Sequence, residues 1–407
     1  MLRRLRGNVA GGRSFSKIRP PPPLLKKAPD SAAWLTQQLE QKDAELRPTQ
    51  EQADLRNWLD ATLKPLLEKH SGGTFHTFGS CQNGFWMNGS DIDACLVMPK
   101  CLKKQSWLTK LRLARSLAIT ERLGQVELVE QARVPVAKIH DGQGRDLCDV
   151  SVNNVAALEN SRFVGAMSGL DWRIPCLGRF IKHWASQRRI NNRSEGTLST
   201  YTLILQLFYS LQLRDPPVLP LVTDILKDSL PEGAESSGTE APKAVNHFLS
   251  EPEMDESTGQ LRSLPFLTDP AMIKEDQRFP QLNMNQESLG ELLLAFFELW
   301  GREEFGGGED GDGQTVYVYD ATQELNDLGI LVMRCPLTGK NVNPFTTVVW
   351  RSIHAEFARA ASLLQAGCSL EELCEPAEGL PPGCGHRGGG LGAEIAAALS
   401  FTKLDGQ

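Results

Sequence analysis

The sequence has no pair of cysteines at C-x-x-C spacing, no apolar run long enough to cross a bilayer, and no excess of positive charge. Its nine cysteines are scattered, so neither a zinc ribbon nor the disulfide framework of a small secreted domain is encoded. A reducing compartment is the natural setting. The nearest thing to a metal knuckle, Cys368, Cys374, Cys384 and His386, falls in a Gly/Pro-rich tail without regular spacing. Crossing a membrane takes about 20 consecutive apolar residues, and no stretch supplies them, so no membrane partner is expected. A formal net charge of −7 excludes binding to nucleic acid through bulk positive charge. Local basic residues, such as Lys103, Lys104, Lys110, Arg112 and Arg115, would have to serve instead; an ordinary solvated helix face is the competing account.

What is present is a chain of 407 residues with 41% hydrophobic side chains, enough for two or three buried cores. Residues 1–29 form a basic leader without acidic residues up to Lys27. Its composition, with Arg13-Ser14-Phe15-Ser16, is that of a mitochondrial presequence, yet Gly11-Gly12 and Pro20 to Pro23 interrupt any helix, so a basic arm is the other reading. Apolar residues at three- and four-residue intervals predict helices on either side of Pro48 (Trp34, Leu35 and Leu39, then Leu55, Trp58, Leu59, Leu63 and Leu66). Further helices are predicted from Ser106 to Leu123, Ile174 to Arg188, Tyr201 to Leu213, Leu289 to Trp300 and Trp350 to Leu364. Strands are predicted at Thr74 to Phe78, Val126 to Val129, Arg133 to Ile139, Asp146 to Val152, Val316 to Tyr319 and Ile330 to Met333. Residues 224–278 are acidic and weakly periodic, an insertion, and 366–407 form a Gly/Pro-rich tail.

Chemistry concentrates in Phe78-Gly79-Ser80 followed by Ser90-Asp91-Ile92-Asp93. A Gly-Ser turn that opens a helix presents backbone N–H groups to an anion. Two aspartates at i and i+2 of a strand place both carboxylates on one face, where they suit a divalent cation. A third carboxylate, Asp149, is flanked by apolar residues in a strand that returns from a hairpin turn at Asp141 to Gly144.

These residues, with Ala132 to Lys138, Cys148 to Asn154, Ile181 to Ala185, Gly196 to Tyr201 and Ser288 to Leu293, resemble the DNA-polymerase-β-type nucleotidyltransferases. The likeness is to their RNA-tailing branch of cytoplasmic-type poly(A) polymerases and terminal uridylyltransferases, and runs with interruptions from about Leu55 to Leu364. The resemblance implies an α/β (α+β) architecture: a small mixed-sheet catalytic domain over 72–157, inserted in a mainly helical central domain built from 30–71 and 158–365. It implies two Mg2+ or Mn2+ ions held by Asp91, Asp93 and Asp149, and attack of an RNA 3′-hydroxyl on the α-phosphorus of ATP or UTP with release of pyrophosphate. Gly79, Ser80, Ser90 and Lys182 match phosphate-binding positions; Asn154, Asn160 and Ser161 match positions near the ribose. Thr200 and Tyr201 complete the nucleotide site, with Tyr201 the aromatic on which the base stacks.

Two departures qualify the match. A second phosphate lysine, one turn after Lys182 in many members, is Ser186 here. The late loop Cys335 to Val342 lacks the histidine with which uridylyl-adding members discriminate uracil, and in length is closer to adenylate-adding ones. The reading is therefore a template-independent RNA 3′-end nucleotidyltransferase using ATP, with UTP as the alternative and a catalytically degenerate RNA-processing scaffold as the non-enzymatic one. The intact aspartates argue against the scaffold. A monomer working with an RNA-binding adaptor is expected, in the cytoplasm, with mitochondrial or nuclear placement as alternatives.

Overall fold

The computed structural model describes residues 29–98, 109–110, 112–113, 115–116, 125–131, 134–140, 144, 146–226, 269–276, 278–282, 284–307, 312–342, 344–379, 381 and 384. Most of the expected leader, most of the helix from Ser106 to Leu123, most of the 224–278 insertion and the end of the tail lie outside the described residues. No helix of the described residues is long and apolar enough to cross a membrane.

Two hydrophobic cores organise the chain. The smaller rests on a five-stranded sheet of β1 (Thr74–Phe78), β2 (Ile92–Val97), β3 (Gln125–Val129), β4 (Val136–His140) and β5 (Asp146–Val152), in the order β1-β2-β5-β4-β3. β2 and β5 run parallel and every other pair is antiparallel, so the sheet is mixed. Side chains alternate along a strand, which sends Phe75, Ile92, Ala94, Leu96, Ala137, Ile139, Cys148 and Val150 to one face. There they meet Leu59, Leu63 and Leu67 of helix α2 (Gln50–Ser71), one stripe at i, i+4 and i+8. Each of these leucines contributes roughly 1.5–3 kcal/mol by leaving water. A capping box of Thr49 and Gln52 starts α2, and Gly72 in the left-handed conformation ends it.

The larger core is helical. α1 (Pro29–Leu46) contributes Leu35 and Leu39; further walls come from α4 (Val155–Ser168), α5 (Arg173–Gln187), α6 (Thr200–Gln212), α9 (Leu289–Trp300) and α11 (Thr347–Ala366). Between α2 and α4 stands one turn, α3 (Ser80–Asn83). α7 (Val222–Leu226) and α8 (Pro270–Glu275) flank the insertion; α10 (Glu303–Gly306) and α12 (Leu370–Leu373) are single turns. A second sheet of β6 (Gly313–Tyr317), β7 (Thr322–Asn326) and β8 (Val332–Arg334), in the order β7-β6-β8, adds Val316, Val332 and Met333. α1 and α9 approach closely at Gly290, where any Cβ would stand 2.2 Å from the Ala32 carbonyl oxygen. A buried ionic network ties the start of α5 to the end of α6 and the approach to α9. Arg173 donates to Asp171 (2.6 Å) and to Asn285 Oδ1 (3.0 Å), and Arg214 donates from Nε to Glu287 (2.9 Å).

The expected helical unit of residues 30–71 divides between the cores: α1 packs in the larger and α2 in the smaller. Both carry an apolar stripe, and periodicity does not say which surface a stripe will meet. β4 opens at Val136, just past Pro135, because proline lacks the N–H that a ladder needs. β7, with the sequence Thr-Gln-Glu-Leu-Asn, is an edge strand without apolar alternation and gave no signal.

Candidate functional site

On the face of the five-stranded sheet opposite α2, Phe78, Cys95 and Val97 meet Leu158 of α4. One rung of the ladder carries the charged groups of that face. Phe78 pairs with Asp93, Asp93 with Asp149, Asp149 with Lys138, and Lys138 with Glu127. Residues paired directly across strands point the same way, so Asp93 and Asp149 stand side by side. Asp91, two residues before Asp93, joins them by the period of the strand and lines the same cleft as Asp93.

Asp93 and Asp149 are both held above the ordinary carboxylate range. Burial, then Asp91 and Asp149, push the Asp93 carboxyl up to about 7. Burial also raises Asp149, an effect that Lys138 partly offsets with Nζ 3.0 Å from Oδ2. For Lys138 burial works to lower the ammonium, but its hydrogen bond to Asp149 and the charge of Asp149 prevail and hold it above its usual value. No three carboxylate, thiol or imidazole groups among the described residues are already closed on one point as in a preformed metal cage. The donor set nevertheless fits a hard divalent cation: two carboxylates on adjoining strands and a third just before one of them, their repulsion offset only in part by Lys138 and Lys182.

Next to them lies the Gly79 turn. Gly79 has φ 71° and ψ −149°, and a Cβ there would fall 2.3 Å from Asp93 Oδ2. Only glycine lets the turn approach the carboxylate so closely. Its N–H donates to Ser161 Oγ at 2.8 Å. Beyond it, four successive or near-successive carbonyls are held by side chains of other helices. Arg56 donates to Cys81 O (2.8 Å), Ser168 to Asn83 O (2.7 Å), Arg179 to Gly84 O (2.7 Å) and Lys182 to Phe85 O (2.8 Å). Lys182 is buried; desolvation, then the charge of Arg179, bring its ammonium down to about 8, with Asp93 and Asp91 opposing.

The opposite wall comes from the larger core. Ser199 caps α6 by accepting the Thr202 N–H, which sets Thr200 and Tyr201 at the mouth of the helix. The Tyr201 hydroxyl donates to Asn160 Oδ1 at 3.3 Å and lies 3.3 Å from Cys335 Sγ. Residues 335–342 close on themselves, with Gly339 N–H on Cys335 O (2.8 Å) and Cys335 N–H on Lys340 O (2.9 Å). Arg193 latches this loop by donating to Val342 O at 2.6 Å. Between the walls is a cleft of about 740 Å3.

The cleft gathers Gly79, Ser80, Ser90, Asp91, Asp93, Asn160, Ser161, Lys182, Thr200 and Tyr201, together with Cys335, Lys340 and Asn341 of the late loop. No histidine is among the described residues that line it. Asp149 stands one strand behind Asp93, beside the cleft. Asn154 is not in its wall; its backbone N–H donates to Cys95 Sγ at the start of α4. Lys138 and Arg193 were missed. A strand register would have found Lys138 opposite Asp149, whereas nothing in the sequence around Arg193 marks it. Of the basic residues proposed for RNA, Arg112 pairs with Glu130 at 2.9 Å and Lys110 donates to Ser71 O at 3.2 Å. Lys103 and Lys104 lie outside the described residues.

Residues 35–168 match the model of the central palm domain of mitochondrial-like poly(A) RNA polymerase. Among curated proteins, the poly(A) RNA polymerase cid11 of Schizosaccharomyces pombe is 30% identical over 45% of this chain and 38% of its own length. The poly(A) RNA polymerase cid13 of the same organism is 27% identical over 73% of this chain and 47% of its own. Human terminal uridylyltransferase 4 is 28% identical over 56% of this chain and 12% of its own length. The chain thus spans less than half the length of these curated relatives. A solved cytoplasmic RNA terminal U-transferase shares the fold, with a TM-score of 0.63 at 22% identity over 85% of this chain and 99% of the other. Cid1 in complex with the UTP analogue UMPNPP matches equally well, with the same score, identity and coverage. With its paired aspartates beside a glycine turn and its helical second wall, the chain is similar to the poly(A) RNA polymerases and terminal uridylyltransferases and shares the fold of their solved members.

Proposed function

We propose that this protein adds ribonucleotides to RNA 3′ ends without a template, releasing pyrophosphate, and that ATP is its preferred substrate. The observation that carries the reading is the rung: Asp93 and Asp149 paired across parallel strands, with Asp91 beside them, directly under the Gly79 turn. Asp91, Asp93 and Asp149 would hold the divalent metal, Mg2+ or Mn2+, as two ions. Bound there, the metal neutralises the triphosphate and acidifies the attacking 3′-hydroxyl.

The residues of the chain supply the rest. Gly79 and Ser80 receive the triphosphate through backbone and hydroxyl, with Ser90 at the edge. Lys182, close enough to feel Asp91 and Asp93, carries its charge toward the outer phosphates by exchanging the Phe85 carbonyl for them. Tyr201 offers its ring to the base while its hydroxyl stays on Asn160, and such stacking is worth ~1–3 kcal/mol. Asn160 stands on the ribose side, Ser161 holds the Gly79 turn, and Thr200 stands at the start of α6. The 335–342 loop closes over the base edge. ATP is favoured over UTP because no histidine reaches the cleft from that loop.

The neighbours support a second nucleotide. Cid1 has been solved with a UTP analogue, and a histidine-to-asparagine variant of Cid1 with MgATP. Purified protein given a short RNA, Mg2+ and one nucleotide at a time decides: longer products with ATP are expected, longer products with UTP reverse the preference, and equal products from wild type and Asp149→Ala leave only the scaffold reading. The described cysteines are all free thiols, which suits a reducing compartment. Cell fractionation with sequencing of the mature N-terminus distinguishes cytoplasmic from mitochondrial placement. Monomeric state and an RNA-binding adaptor are part of the same proposal, checked by sedimentation and by co-purification.

A further inference from the structure

The rung through the carboxylates contains one cation, Lys138, and it is already in use. Its ammonium lies 3.0 Å from Asp149 Oδ2 and donates to Oδ1 at 3.3 Å; Asp146 is farther, at 4.0 Å. Asp146 in turn has His140 Nδ1 at 2.6 Å. The other lysine near the cluster, Lys182, donates to the Phe85 carbonyl instead. Lys138 is therefore the side chain that covers Asp149 on the side away from Asp93. Its own exposure is 30%, and its other neighbour on the rung, Glu127, is a 66% exposed carboxylate on the solvent side. A lysine on a flexible four-carbon stem, with a second anion across the strand, can leave Asp149 without leaving the sheet.

We propose that Lys138 is a resident counter-cation of the carboxylate cluster, which a divalent ion must displace from Asp149, so that this one side chain sets how tightly the free enzyme holds metal. The inference rests on the assignment of Asp91, Asp93 and Asp149 as the metal ligands. A lysine and a divalent ion cannot both lie against the same carboxylate oxygens without strong like-charge repulsion. Lys138 is a positioning residue: it keeps Asp149 in place while the site awaits metal and yields when metal arrives.

The test is Mn2+ binding to the full chain, without RNA or nucleotide, followed by the electron paramagnetic resonance of free Mn2+. Lys138→Met should bind Mn2+ about tenfold more tightly than wild type, Lys138→Gln similarly, and Lys138→Arg should stay near wild type, all with unchanged circular dichroism. A lysine with a merely structural role would weaken binding when removed. Equal or weaker Mn2+ affinity in folded Lys138→Met or Lys138→Gln overturns the proposal. If wild type binds Mn2+ and Asp149→Asn lowers that binding while Lys138→Met does not raise it, the role of Lys138 falls alone. If wild type shows no aspartate-dependent binding, the ligand assignment falls with it.

Discussion

Ser161 Oγ accepts the Gly79 N–H at 2.8 Å and at the same time donates to Ala157 O at 2.7 Å. The hydroxyl is thus the link between α4 and the turn that faces the carboxylates, and its two bonds are both committed to backbone. Ser161→Ala leaves the Gly79 N–H without its acceptor and should cost about 1–2 kcal/mol in urea unfolding. Activity should fall to the same degree with ribonucleotides and 2′-deoxyribonucleotides. A selective loss with ribonucleotides would return Ser161 to the reading of the ribose.

Gly79→Ala is the more severe change at the same turn. Its backbone lies where side-chain-bearing residues are strained, about 1–3 kcal/mol, and its methyl would overlap Asp93 Oδ2. The expected result is a fall of kcat/KM by at least ~100-fold, since misplacement by about 1 Å costs that much. The far-ultraviolet circular dichroism should remain that of wild type. Activity near wild type would show that the turn does not set the carboxylate.

The raised Asp93 carboxyl gives the metal-free protein a signature in pH. Folded Asp93 keeps its proton up to about 7, whereas an unfolded aspartate releases it near ~3.9. The folded state therefore binds more protons over that window, and stability falls as pH rises through it, by roughly 2–4 kcal/mol in all. Urea unfolding in chelator at several pH values from 4 to 8 should show this slope in wild type and its loss in Asp93→Asn. Parallel curves for the two proteins would contradict the assignment.

Arg193 holds the 335–342 loop through the carbonyl of Val342. Removing it should loosen the 335–342 edge of the cleft without disturbing a core, because that contact is exposed. Arg193→Ala is expected to raise KM for the preferred nucleotide about tenfold, a loss near 1.4 kcal/mol, and to narrow the ratio between ATP and UTP. Steady-state kinetics with each nucleotide reads both; an unchanged ratio would separate the latch from base choice.

Arg173 tests the scaffold rather than the site. Its guanidinium joins Asp171, Asn285 and the Glu287 carbonyl from a buried position. Truncation to alanine strands Asp171 and should cost about 3–5 kcal/mol, visible as a lowered unfolding midpoint, while kcat of the protein that remains folded stays within about twofold of wild type.

Much of this was legible because the signals are local. Asp91 and Asp93 on one strand face, Asp149 after a hairpin, and the capped starts of α6 and α9 each need only a few neighbouring residues to declare themselves. The mixed sheet and helical second wall followed from the resemblance those residues carry. What escaped depended on distant pairings. α2 covers the small sheet because of where the chain turns at Gly72, which no stripe of leucines records. Asn154 faces α4's own start rather than the cleft. Lys138 owes its position to strand register, and Arg193 reaches Val342 across 149 residues of sequence.

The ladder between β4 and β5 changes register between Ile139 and His140, so Leu147 stands unpaired between Asp146 and Cys148. That irregularity lies between the connecting turn and the Lys138–Asp149 pair. It works as a slip joint: a residue gained or lost in the turn can be taken up there, and every side chain beyond it keeps its side of the sheet. A change of length between β4 and β5 can thus be absorbed before it reaches the pairing of Lys138 with Asp149.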